Sequence, residues 1–180
     1  QKSRYYLALA YEQNSQPEEA LYHFRMIQEG NELYINARLH IAYILNKMDK
    51  SDEAIEILRK GIEYKRDEID LYTLLSSIYE SKADYVKARE TLDEGLAVDS
   101  SNVELNYRLG TLLDRNENKD ESIAQMKKVL ELDPNNADAM NYIGYTYAEK
   151  GINLDEAIEL IQKAISIKPD NGYYIDSLGW

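Results

Sequence analysis

The chain has 180 residues, 44% hydrophobic and 30% charged, which is the make-up of a globular protein and excludes a purely disordered tail. Its longest apolar run, from Tyr5 to Tyr11, falls far short of the roughly 20 residues that a membrane-spanning helix needs, and the absence of cysteine excludes a disulfide framework, a thiolate metal site and a cysteine nucleophile. Thirty-three acidic against 21 basic residues leave a net charge of −12, the wrong sign for nucleic acid or an anionic membrane as the main partner.

Apolar residues recur at helical spacing along the whole chain. They predict helices over 2–14, 17–29, 35–48, 51–64, 69–82, 85–97, 103–116, 120–132, 137–150 and 154–167, with a truncated helix from 173. Pro17 suits the first turn of the second helix, where its missing N–H leaves no bond unmade. Ser101 with Glu104, and Asn153 with Glu156, have the spacing of a capping box. Asp133-Pro134-Asn135-Asn136 and Lys168-Pro169-Asp170-Asn171 are turn clusters. All connections are short, so neighbouring helices are expected to run antiparallel. The chain opens at Gln1 and closes on Tyr173, Tyr174, Ile175, Leu178 and Trp180 as a new amphipathic pattern begins, and we read it as a piece of a longer protein.

Aligned with itself, the sequence repeats with a period of 34: residues 1–34, 35–68, 69–102 and 103–136, then 137–171 with one extra residue near Ile152, then a partial unit 172–180. The eighth place is always small: Ala8, Ala42, Ser76, Gly110, Gly144 and Gly179. The twentieth is small in every complete unit: Ala20, Ala54, Ala88, Ser122 and Ala157. A branched aliphatic precedes the first small residue, and a Tyr or Leu follows it by three: Tyr11, Leu45, Tyr79, Leu113 and Tyr147. Four residues after the second small residue stand Phe24, Leu58, Leu92, Met126 and Ile161. Each unit is therefore expected to be two helices, meeting where their side chains are smallest, since close approach of helix axes requires minimal side chains at the crossing.

This pattern, with Pro134 and Pro169 closing two of the units, resembles the tetratricopeptide repeat over residues 1–171. The resemblance implies an all-α, right-handed α-solenoid of antiparallel helix pairs, a single solenoid domain over 1–180, acting as a scaffold for protein–protein interaction and not as an enzyme. Departures are Ile27 and Val129, where a small residue is expected seven after the second small place, and Glu32, Arg66 and Ser100, where proline is expected; they put local helix spacing and turn geometry in question. The Lys and Asn set with which some family members clamp a terminal carboxylate is missing, and Arg108 alone matches it, beside Glu104. The asparagine ladder of glycosyltransferase repeat arms is missing too, its place being filled by Tyr6, His40, Leu74, Arg108, Tyr142 and Ser177. Pentatricopeptide repeats, of nearby period, read RNA and do not suit an acidic chain.

In the resembled fold the first helices of successive units line the concave face. Residues that the core stripe leaves free there form the expected peptide-binding groove: Tyr5, Leu9, Asn36, Leu39, Tyr43, Asn46, Asp70, Thr73, Ser77, Glu104, Tyr107, Thr111, Asp138, Asn141 and Tyr145. Glu12, Glu80, Asp114 and Glu149 are on the same face, so the groove is acidic, with tyrosines along it. Tyrosine is over-used, at sixteen against one Phe and one Trp, and gives rigid contact area with a polar tip. The expected partner is a protein or peptide with basic and apolar residues, and neither nucleic acid nor membrane insertion is expected. No cofactor is expected: His23 and His40 are not at helical metal-pair spacing, no glycine-rich phosphate loop is present, and no carboxylate pair is singled out for acid–base work. Two other readings are self-assembly through the solenoid ends, by way of Tyr173 to Trp180, and service as the substrate-recruiting arm of an enzyme whose catalytic domain lies elsewhere. The stretch from Gly151 to Trp180 resembles bacterial multi-repeat proteins, some of them envelope lipoproteins, so the location expected is the cytoplasm or the bacterial envelope.

Overall fold

The computed structural model describes residues 1–179, which contain eleven α-helices and no strand. The chain divides into two compact units, Gln1–Val98 and Asp99–Trp180. Unit 1 holds α1 (Lys2–Gln13), α2 (Pro17–Arg25), α3 (Tyr34–Lys47), α4 (Ser51–Tyr64), α5 (Ile69–Ser81) and α6 (Tyr85–Val98). Unit 2 holds α7 (Val103–Arg115), α8 (Lys119–Leu132), α9 (Ala137–Lys150), α10 (Leu154–Ile167) and α11 (Gly172–Gly179). Consecutive helices pack in pairs, α1 on α2, α3 on α4, α5 on α6, α7 on α8 and α9 on α10, each joined by a turn of a few residues.

The small residues are where the helices of a pair meet. Ala8, Ala42, Ser76, Ala20, Ala54, Ala88 and Ser122 are wholly buried, and Ala157 nearly so. A Cβ on Gly110 would come within 2.8 Å of Met126 Cε, so the Met126 side chain of α8 fills the space that the glycine of α7 leaves. Ser122 uses its hydroxyl at the same crossing, donating to the Gly110 carbonyl at 2.6 Å. Around these contacts Phe24, Leu58, Leu92 and Met126 are wholly buried, which supplies the apolar burial that holds each pair together.

Every pair turns in the same way. Residues fifteen places into the repeats, Ser15, Asp49, Ala83, Glu117 and Gly151, all have positive φ, between 56° and 65°. The N–H of the next residue reaches back to the eleventh-place carbonyl: Gln16 to Tyr11, Lys50 to Leu45, Asp84 to Tyr79, Asn118 to Leu113 and Ile152 to Tyr147, at 2.9–3.0 Å. The fifteenth-place N–H bonds the twelfth-place carbonyl, as Ala83 does to Glu80 at 2.9 Å. This is a Schellman turn, which satisfies carbonyls that a helix end leaves orphaned. Only the fifth repeat uses glycine for it.

Observed helix limits agree with the sequence expectation to within about two residues, except for α2. Where other repeats have the buried Gly61, Gly95 and Ala164, the first has Ile27. A Cβ on Gly61 would come 3.0 Å from Leu71 Cδ2, so this place touches the first helix of the next repeat. The helix expected to reach residue 29 ends at Arg25, and Ile27 enters the core from the following turn, wholly buried, with Arg38 Nη2 3.4 Å from its carbonyl. Val129, one carbon smaller, stays within α8. The capping boxes also differ from expectation. Asn102 caps α7, accepting from the Leu105 N–H at 3.1 Å, while Ser101 donates to Asp99. Asn153, at φ 48°, makes no side-chain cap on α10, because in that left-handed conformation its side chain does not reach the first-turn N–H groups.

α11 packs on α9 and α10 through Tyr174, which joins Ala137, Met140 and Ala164 in one apolar cluster. Its other side carries Tyr173, Ile175 and Leu178 to the surface. Trp180, part of the expected C-terminal stub, lies outside the described residues.

Candidate binding face

In unit 1, side chains of α1, α3 and α5 enclose two adjoining concavities. The larger, of about 560 Å³, has a floor of Leu9, Pro17, Ile44 and Met48 and a rim that includes Glu12, Gln13, Ser15, His40, Tyr43 and Lys47. The smaller, of about 300 Å³, is bounded by Glu12, Leu39, His40, Tyr43 and Leu74. Glu12, His40 and Tyr43 belong to both and form the wall between them. Leu9 and Tyr43 occupy the same place in successive repeats, so the period itself sets them on neighbouring helices.

That wall is braced. His40 Nδ1 lies 2.8 Å from Glu12 Oε2, joining α3 to α1. The His40 ring stacks on Phe24, with centroids 5.0 Å apart and planes 6° apart, and meets the edge of Tyr5 at 5.8 Å. Lys47 holds its ammonium 4.4 Å from the centre of the Tyr43 ring, a cation–π contact that leaves the outer part of Tyr43 exposed.

The expected groove residues fall into three groups. Leu9, Leu39 and Tyr43 line the concavities. Asn36, Asp70 and Ser77 are exposed outside them, Thr73 turns its hydroxyl back to the Asp70 carbonyl, and Asn46 accepts from Ser51 at the start of α4. Tyr5 is a correction: it is only 7% exposed and packs edge-on against Phe24 at 5.5 Å. Three residues before Ala8, it lies on the core stripe and not beside it. Sequence reasoning missed His40, Met48, Pro17 and Leu74 as lining residues. The available signal was the spacing of Glu12 and His40, which brings the twelfth place of one repeat against the sixth of the next.

In unit 2, Tyr145 is exposed, whereas Tyr107 is half-buried against the cluster of Ile123, Met126, Val129 and Ile143. Burial raises the Tyr107 hydroxyl above its ordinary pKa, and the carboxylates of Asp138 and Glu104 add to this. Thr111 bonds back to the Arg108 carbonyl, and Glu104 pairs with Arg108 at 2.6 Å. Asp138 receives the Tyr174 hydroxyl and, at 2.8 Å, the Lys168 ammonium. Burial pushes the Asp138 carboxyl up, but these two bonds outweigh it and hold its pKa below the ordinary value. Asn141 is half-buried, and its Oδ1 has no hydrogen-bond partner. Among the described residues no cluster of His, Asp and Glu is arranged to hold a metal ion, and no helix is long and apolar enough to cross a membrane.

Two family models of the tetratricopeptide repeat match the chain, one over residues 35–68 and 69–102, the other over 107–172. A TPR repeat-containing protein of Pseudomonas aeruginosa is 28% identical over 174 residues, covering 94% of this chain. The chain spans 29% of that relative's length. Among solved structures, MamA superposes with a TM-score of 0.73 at 20% identity, covering 90% of this chain and 94% of its own. YrrB, a TPR protein with an unusual peptide-binding site, gives 0.69 at 23% identity, covering 98% and 91%. A thermophilic TPR protein of Thermus thermophilus gives 0.69 at 18% identity, covering 99% of each. At these identities the solved structures establish a common fold.

Proposed function

The chain belongs to the tetratricopeptide repeat family, whose fold supports protein–protein interaction, and from that premise we propose that it is a binding scaffold whose partner lies along the first helices of its repeats. The observation that carries this reading is the pair of adjoining concavities on α1, α3 and α5, with the exposed Tyr43 between them. Packed helices are about 10 Å apart, so three of them span about 20 Å, the length of roughly six extended residues. The net charge of −12 favours a segment with basic residues, and Leu9, Leu39, Tyr43 and Leu74 favour apolar ones. Peptide binding by YrrB, a protein of the same fold, is in keeping with this. The test is selection of peptides from a random display library on the chain, followed by fluorescence anisotropy. Replacing Tyr43 with Ala should weaken the selected peptides at least ten-fold with helicity unchanged; full affinity in the variant removes this face from consideration.

A second reading is self-association through α11, favoured by the exposure of Tyr173, at 83%, and of its neighbours Ile175 and Leu178. Sedimentation over a range of concentrations separates the two: a monomer throughout excludes it, and a dimer lost on Tyr173→Ser and Ile175→Ser supports it.

A further inference from the structure

Resting on the binding-face reading above, we propose that the larger concavity of unit 1 is an anchor subsite. Its occupant is a partner peptide that carries one large apolar side chain between a basic and an acidic residue about three positions apart.

Met48, which lines the space, stands at a place where two other repeats carry a lysine. In the second and fourth repeats an Asp at the start of the second helix is joined to a Lys at the end of the following first helix, Asp52 to Lys82 at 2.9 Å and Asp120 to Lys150 at 2.5 Å. The matching places of the first repeat are Glu18 and Met48. No ion pair can form there, and Met48 lines the 560 Å³ space with Leu9, Pro17 and Ile44 while also lining a separate concavity that holds Glu18 and Met26. The volume is within the range of sites that enclose small ligands and has ample room for a Leu, Met or Phe side chain. A methionine floor adapts its shape to what enters.

The rim sets the charges of the occupant. Glu12, on α1, has His40 as its polar partner, so its carboxylate meets an imidazole and no lysine or arginine. Lys47, on α3, meets the Tyr43 ring and no carboxylate. Lys47 is seven residues beyond His40, the partner of Glu12, on the same helix, which at about 1.5 Å per residue separates their backbone positions by roughly 10 Å. An extended chain covers that distance in about three residues. A base at one end meets Glu12, an acid at the other meets Lys47, and the side chain between them fills the floor.

The methionines make the test direct, because there are four, Met26, Met48, Met126 and Met140, and the last two are buried in unit 2. The 180-residue chain labelled with 13C at the methionine methyls is titrated with the acetylated and amidated peptide Gly-Lys-Leu-Gly-Glu-Gly. The Met48 methyl should shift saturably while Met126 and Met140 stay in place and so does Met26, which lines with Met48 a separate concavity; a joint shift of Met26 and Met48 would put the peptide there and overturn the proposal. Replacing the peptide's Leu by Gly, or its Glu by Lys, should weaken binding at least five-fold. Leu9→Gln should weaken it about ten-fold with unchanged circular dichroism, and Lys47→Gln should abolish the preference for Glu over Gln in the peptide. An unmoved Met48 overturns the proposal; if library-selected peptides still bind and still need Tyr43, the binding-face reading survives without this subsite, and if none bind both fail. Equal binding of the all-basic peptide overturns the charge assignment. A Met48 shift produced by raising the protein concentration alone would give the cleft to a second copy of the chain and overturn it as well.

Discussion

Gly144 and Ile161 face each other where α9 crosses α10, so closely that a Cβ on Gly144 would lie 2.7 Å from Ile161 Cγ1 and 2.8 Å from the Ala157 carbonyl oxygen. The second contact is with backbone, which cannot turn aside. Gly144→Ala should therefore destabilise unit 2 by about 1–3 kcal/mol through overpacking, against the gain of roughly 1 kcal/mol that alanine brings to a helix interior. Gly144→Leu should do worse. Gly172→Ala, with no atom within 4 Å of the added carbon, is the control and should leave the melting curve in place. Thermal unfolding followed by circular dichroism checks all three.

The shared Schellman turn gives a prediction of the opposite sign. Ala83 holds φ at 56°, a conformation that works against a side chain and that glycine adopts freely. Ala83→Gly should raise stability by about 1 kcal/mol, less the extra freedom glycine brings to the unfolded chain. Gly151→Ala, at φ 65°, should lower it. A matched pair of denaturant titrations reads both.

The bond between Tyr174 and Asp138 ties α11 to α9 and makes its docking sensitive to pH at two extremes. The Asp138 carboxyl is held below its ordinary value, so its contribution is complete above about pH 4 and is lost as the pH falls through its lowered folded pKa. Burial first, and then the bond to Asp138, push the Tyr174 hydroxyl up to about 12. That raised acid favours the folded chain below the ordinary tyrosine value near 10, and its contribution disappears as the pH rises from about 10 to 12. In NMR spectra the docked ring environment of Tyr174 should weaken as the pH falls through the Asp138 titration, a dependence that Asp138→Asn should lack, and Tyr174→Phe should remove the alkaline limb.

Tyr5 and Tyr43, similar in the sequence, should separate cleanly in experiment. Tyr5→Ala removes a ring that packs on Phe24 and His40 and should cost about 3–5 kcal/mol of stability. Tyr43, 43% exposed, should lose little stability on truncation and most of its effect should fall on binding. Melting curves and peptide anisotropy on the two single variants distinguish these roles.

Much of this fold is legible in the amino-acid order because its decisive residues are chemically extreme. A residue small enough for helices to touch, such as Ala54 or Gly110, stands out among larger ones, and its recurrence gives the period and the helix limits. The turn conformation leaves no such mark. Ser15, Asp49, Ala83, Glu117 and Gly151 share no property beyond their place, because the backbone hydrogen bonds around them enforce the left-handed residue whatever its side chain. The early end of α2 at Arg25 was foreshadowed by Ile27, though not its form. The binding face is less legible. Whether a tyrosine of a first helix is core or surface depends on what the next repeat puts against it, and Met48 stands at a place that varies among Asn, Lys and Met from repeat to repeat.

The central claim, that partners meet the first helices of the repeats, is tested most directly by photo-crosslinking. A benzophenone amino acid is placed in turn at Tyr43, on α3, and at Val86, which is 70% exposed on the second helix α6, and each protein is irradiated with a library-selected peptide. The account predicts a covalent adduct from position 43 and none from position 86; adducts from position 86 alone would contradict it.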